Sequence, residues 1–97
     1  MTPTPVEDRI ARGEEARSIL ESPIFIEAFE SAEKDIVSQW MGSPARDSDG
    51  REKLWVYLAM LRKVRAHMER AIETGDMARI EIERKASLAE RVTSLFA

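Results

Sequence analysis

Residues 51–74, REKLWVYLAMLRKVRAHMERAIET, decide the architecture of this chain. Leu54, Leu58, Leu61, Met68 and Ile72 recur at helical steps, and Tyr57, Val64 and Ala71 widen the stripe. No proline or glycine interrupts them. Apolar side chains spaced this way share one face of a 3.6-residue helix. At about 1.5 Å per residue the segment extends roughly 36 Å, more than one side of a compact globule of this length covers. A long helix in need of partner helices is the first expectation.

Upstream, Ser22-Pro23 punctuates the chain. Proline breaks a helix interior but starts a helix well. Ser22 as N-cap and Pro23 as first residue predict a helix through Trp40, burying Phe25, Ile26, Phe29, Ala32, Ile36, Val37 and Trp40. Its outward face carries Glu27, Glu30, Glu33 and Asp35. Gly42 is expected to end it in the left-handed conformation, with Pro44 preventing resumption. Farther upstream, Thr4 as cap, Pro5 at the first position and Glu7 completing a capping box predict a helix over residues 5–21. Gly13 reads as a weak spot in it, about 1 kcal/mol poorer than alanine.

Between the second helix and the long one lies SPARDSDG, residues 43–50, the only true loop. Asp47, Ser48 or Asp49 could cap the long helix, and Asp49, with Glu52 three residues on, is the best of the three. Thr74-Gly75-Asp76 predicts either a stop or a weak joint. Beyond it, Met77, Ile80, Leu88, Val92, Leu95 and Phe96 give a poorer stripe, broken by Arg84 and Lys85. Residues 76–97 are therefore read as a less firmly docked C-terminal helix. No internal repeat, strand pattern or low-complexity tract is apparent. The expected fold is all-α: one domain over residues 1–97 with a flexible N-terminus at 1–4, a small helical bundle built on an αα-hairpin with a long central helix and a C-terminal helix.

Composition narrows the chemistry. Cysteine is absent from the 97 residues, which excludes a disulfide framework and thiolate metal sites. No apolar run reaches membrane-spanning length, and Met1 leads into TPTPVED rather than a signal peptide, so the expected location is the cytoplasm. The formal net charge is −3, unevenly spread: residues 1–50 carry 11 acidic and 5 basic side chains, residues 51–97 carry 7 and 10. Such asymmetry is ordinarily surface solvation, and it also suits pairing between halves or subunits.

No catalytic, metal or cofactor site is expected. The single histidine, His67, has Lys63 and Val64 one turn before it, so no carboxylate orients it and no second histidine completes a metal pair. A lone histidine beside Lys63 and Arg70 is ordinarily a solvated helix-face residue. Asp47-Ser48-Asp49-Gly50 fails the calcium-loop pattern because Ala45 and Val56 stand where oxygen donors belong. Nucleic acid is a more serious possibility. Arg62, Lys63, Arg65, His67 and Arg70 lie along the second half of the long helix, with Lys63, His67 and Arg70 on one face where they could track phosphates. Glu69 and Glu73 intervene, and the isoelectric point near 5.2 argues for an ordinary charged face.

Self-association follows from surface arithmetic. A chain this small buries only about 60–65% of its unfolded surface. Met68, Ile72, Ile80, Leu88, Val92 and Phe96 would remain partly exposed in a monomer, a pattern that marks interfaces. Trp55 lies beside the main stripe and, if exposed, marks a partner surface too. Trp40 and Trp55, near one loop, read as a hydrophobic plug stacking on each other or on Pro44.

The run of Leu20, Ser22-Pro23, Phe25, Ala28-Phe29, Trp40, Ser43-Pro44, Asp47 and Arg51-Glu52-Lys53-Leu54-Trp55 resembles small, largely uncharacterised α-helical proteins of tailed bacteriophages and prophages. Val64-Arg65-Ala66-His67 and Ile72-Glu73-Thr74-Gly75 continue the likeness, which covers roughly residues 12–80. The resemblance implies a phage origin and a non-enzymatic accessory role in head or virion assembly, and it brings no catalytic motif. The expected function is a structural or interaction protein acting as a homo-oligomer or docked on larger phage assembly components. The alternative is a nucleic-acid-associated packaging or regulatory factor.

Overall fold

The computed structural model describes residues 5–96 as three helices with no strand among them: α1 (Val6–Leu20), α2 (Pro23–Gly42) and α3 (Ser48–Phe96). The fold is all-α. The expected Thr4 cap and the N-terminal segment 1–4 lie outside the described residues.

Local chemistry explains each boundary, in some places differently from expectation. Pro5 does not open α1. It sits just outside with an extended ψ of 149°, and its carbonyl accepts the Arg9 N–H at 3.0 Å. Glu7 and Asp8 then occupy the first turn, favourable at the positive end of the helix dipole. Ser22 is extended, as a residue before proline prefers to be, and Pro23 begins α2. The second helix runs past Trp40 through Gly42, and no described glycine has a positive φ. Ser43 terminates it instead: extended ahead of Pro44, Ser43 donates from Oγ to the Trp40 carbonyl at 2.6 Å. The loop is shorter than predicted because α3 starts at Ser48. Its cap is Asp47 rather than Asp49, with Asp47 Oδ1 accepting the Gly50 N–H at 3.1 Å.

Of the two alternatives at Gly75 the chain takes the continuous one. Helix α3 passes straight through it, so the expected C-terminal helix is the continuation of the long one. At 49 residues α3 measures about 73 Å, nearly the full 76 Å length of the molecule. The radius of gyration is 21.3 Å, where a compact chain of this size would have about 13 Å. The molecule is a rod with two shorter helices laid along part of it.

Helix α2 meets the first half of α3 in reverse order. Trp40 touches Arg51, Glu33 pairs with Arg62, and Phe29 lies under Arg65. Among the described residues Phe29 is the only large side chain that is buried, at 7% exposure. Leu58 and Leu61, expected in the core with Phe25 and Ile36, are half-buried. A single covering helix shields one side of them only.

Helix α1 meets α3 in the opposite sense. Arg9 and Arg12, before Gly13, lie beside His67, Arg70 and Ala71, before Gly75. Glu14 and Arg17 pair with Arg79 and Asp76 beyond it. The two helices therefore cross running the same way, with glycine against glycine. A Cβ on Gly13 would lie 2.9 Å from the Ala71 carbonyl oxygen and 3.2 Å from Gly75 Cα. A Cβ on Gly75 would meet the Arg9 carbonyl oxygen and Gly13 Cα at the same distances. Gly13 is a contact point, not a weak spot. Ala16 and Ala78, at 7% and 1% exposure, close the same seam one turn later.

This reciprocity exposes a repeat that the sequence reading lacked. Ile10-Ala-Arg-Gly13-Glu14-Glu-Ala16-Arg17 matches Ile72-Glu-Thr-Gly75-Asp76-Met-Ala78-Arg79 position for position at isoleucine, glycine, acid, alanine and arginine. Each arginine pairs with the acid of the other copy: Arg17 with Asp76 at 3.0 Å, Arg79 with Glu14 at 2.6 Å. The crossing has approximate two-fold symmetry because its two strands of sequence are near-equivalent.

Candidate functional site

Three surfaces of this rod could act, and the helices position each differently. At the loop end, Arg51 on the first turns of α3 reaches back over α2. Its guanidinium stacks 3.8 Å above the Trp40 ring and donates to Ser43 Oγ at 3.1 Å. Trp40 is thus held by Arg51 rather than stacked on Trp55 or Pro44. Both tryptophans line an apolar recess of about 210 Å³ with Ile36, Val37, Leu54 and Leu58. Trp55 is exposed.

The basic run of α3 divides into two parts. Arg62 donates from Nε to Glu33 Oε1 at 2.7 Å, so this expected nucleic-acid contact is engaged in holding α2. Arg65 lies 4.5 Å from the Phe29 ring centroid and 3.3 Å from Glu69, covering the one buried aromatic. Lys63 is exposed. His67 and Arg70 face the other way, into a cleft of about 320 Å³ beside the glycine crossing, with Ala71 and Thr74. Arg9 and Arg12 of α1 complete its walls. Sequence reasoning missed these two because it treated α1 and α3 as separate stripes. The repeat was the available signal, since it brings the turn before Gly13 against the turn before Gly75.

The third surface is the far end of α3. Beyond Ala78, where Glu14 of α1 still pairs with Arg79, residues 79–96 are exposed throughout. Leu88, Val92 and Leu95 share one face of this roughly 27 Å extension, at 61%, 47% and 81% exposure. Ile80 and Phe96 are exposed as well, whereas Met68 and Ile72 are half-buried near the α1 crossing.

Among the described residues no three His, Asp or Glu side chains gather into a metal-binding group. No described helix is long and apolar enough to cross a membrane. The chain matches no protein-family model, no curated protein and no solved structure. The likeness to phage helical proteins accordingly rests on the stretches of sequence quoted above.

Proposed function

We propose that this protein is a non-enzymatic, phage-type structural or interaction protein, an accessory of virion or head assembly that works by self-association through the free end of α3. In this reading α2 and α3 form a helical hairpin braced by α1. The hairpin is the rigid handle, and residues 79–96 are the docking element. The observation that carries the proposal is the uncovered face of Leu88, Val92 and Leu95, with Phe96 beside it. A helix of that length is marginal in water on its own and is normally stabilised by burying its apolar face. Two such extensions packed together would bury both faces, as helix pairs do. Ile80 and Phe96 are the other exposed members of the proposed interface on this element, while exposed Trp55 lies on the hairpin.

Light scattering or sedimentation equilibrium on the full chain tests this. A mass of at least twice 11.1 kDa at high micromolar concentration is expected, with a melting temperature that rises with concentration. Leu88→Glu with Val92→Glu should return the monomer mass. A wild-type mass of 11.1 kDa at those concentrations refutes self-association.

A further inference from the structure

We infer that the cleft at the α1/α3 crossing is a binding site for an oxyanion of the phosphate class, contributed either by free phosphate or by a phosphodiester of a nucleic acid strand. Four nitrogen-bearing side chains from two helices line it: Arg9 and Arg12 from α1, His67 and Arg70 from α3. No carboxylate lines the cleft. The arginines elsewhere along the same crossing are neutralised, Arg17 by Asp76 and Arg79 by Glu14. Arg9, Arg12 and Arg70 have no ion-pair partner among the described residues.

The burial of one of these arginines adds to the argument. Arg9 is half-buried at the crossing, and its Nε is buried with no hydrogen-bond partner among the described residues. Guanidinium donors withdrawn from water and left unpaired are costly, and such groups ordinarily have an acceptor supplied from somewhere. A guanidinium presents a planar fork of donors that fits a phosphate bidentately. Three such forks flanking one imidazole form a set of donors with no competing anion. The glycine contact gives the cleft its position. The backbones of α1 and α3 touch at Gly13 and Gly75, and side chains of the turns immediately before them line the recess. The site requires both helices, so it exists only when α1 is docked. It does not depend on self-association through residues 79–96.

His67 supplies the reporter. It is the only histidine in the chain, so its imidazole Cε1–H resonance is a single NMR signal from inside the cleft. The full-length protein is titrated with inorganic phosphate, with pyrophosphate and with a short DNA duplex, each at low salt. Saturable movement of the His67 signal is expected with at least one probe. Arg12→Glu and Arg70→Glu, at exposed positions that leave the fold intact by circular dichroism, should weaken that probe at least tenfold. Arg91→Glu makes the same change of charge far along α3 and should change affinity by less than about threefold, allowing for long-range screening. Response to phosphate and pyrophosphate supports the site with a small anion as its ligand. Response to DNA alone, fading steeply with salt, supports it with a phosphodiester as its ligand. Absence of any shift with all three probes, or equal weakening by Arg91→Glu and the cleft variants, overturns the inference.

Discussion

Replacing Gly75 by alanine sets two opposing effects against each other at a single atom. In an exposed helix interior the change would stabilise, since alanine is favoured over glycine by roughly 1 kcal/mol. Here the new methyl would lie 2.9 Å from the Arg9 carbonyl oxygen and 3.2 Å from Gly13 Cα, both backbone atoms that cannot rotate away. Carbon contacts prefer about 3.5–4.0 Å, so α1 must move outward by about half an ångström or more. That motion loosens Ala16 from Ala78 and stretches the two reciprocal ion pairs. Overpacking typically costs about 1–3 kcal/mol, and partly exposed ion pairs contribute about 0.2–1 kcal/mol each. The expected net result is a loss of about 1–2 kcal/mol after the propensity gain is subtracted. Denaturant titration followed by circular dichroism measures it, and hydrogen exchange shows whether the loss is concentrated in α1. Gly42→Ala is the control. That helical glycine has nothing within 4 Å of its would-be Cβ and should leave stability unchanged or slightly raised. Gly13→Ala should mimic Gly75→Ala, and the double variant should cost less than the sum, because separation forced by one methyl makes room for the other. A Gly75→Ala protein stabilised by the full alanine preference would show that the helices do not touch there.

Two further substitutions check the other end of the molecule. Phe29→Ala removes the one large buried side chain among the described residues and should cost about 3–5 kcal/mol in the same titration; a cost below about 1 kcal/mol would mean that α2 does not rest on α3 through this ring. Asp47→Ala removes the acceptor of the Gly50 N–H and should cost about 1 kcal/mol, while Asp49→Ala should cost clearly less; the reverse order would restore Asp49 as the cap.

What was legible in the sequence was local. Ser22-Pro23 opens α2 because a proline's fixed φ and missing N–H act within one turn of chain, whatever the rest of the molecule does. The stripe from Leu54 to Ile72 marks a helix for the same reason. Glycine is different, because a missing side chain has two readings. As a backbone preference it weakens a helix, and on that ground Gly13 looked like a flaw and Gly75 like a joint. As an absence of volume it lets another backbone come close, and that reading depends on a partner far away in sequence. The likeness between Ile10–Arg17 and Ile72–Arg79 was the only feature on the sequence that tied the two glycines together.

The same distinction governs the charged residues. Arg62, Arg65 and Arg70 are interchangeable members of a basic run when read along the chain. In the fold each has a different neighbour: Glu33 for the first, the Phe29 ring and Glu69 for the second, and two unpaired arginines of α1 for the third. What separates a structural arginine from one free to bind an anion is whether a carboxylate from another helix arrives at hydrogen-bond distance. Around the glycine crossing that happens on one side only. Past Gly13 and Gly75 each arginine of the repeat meets the acid of the other copy, whereas no carboxylate lines the cleft before them. In the repeat itself, an acid follows each glycine while Arg12 and Thr74 precede them. The pattern that locks the two helices together on one side therefore leaves the other side positively charged and unpaired.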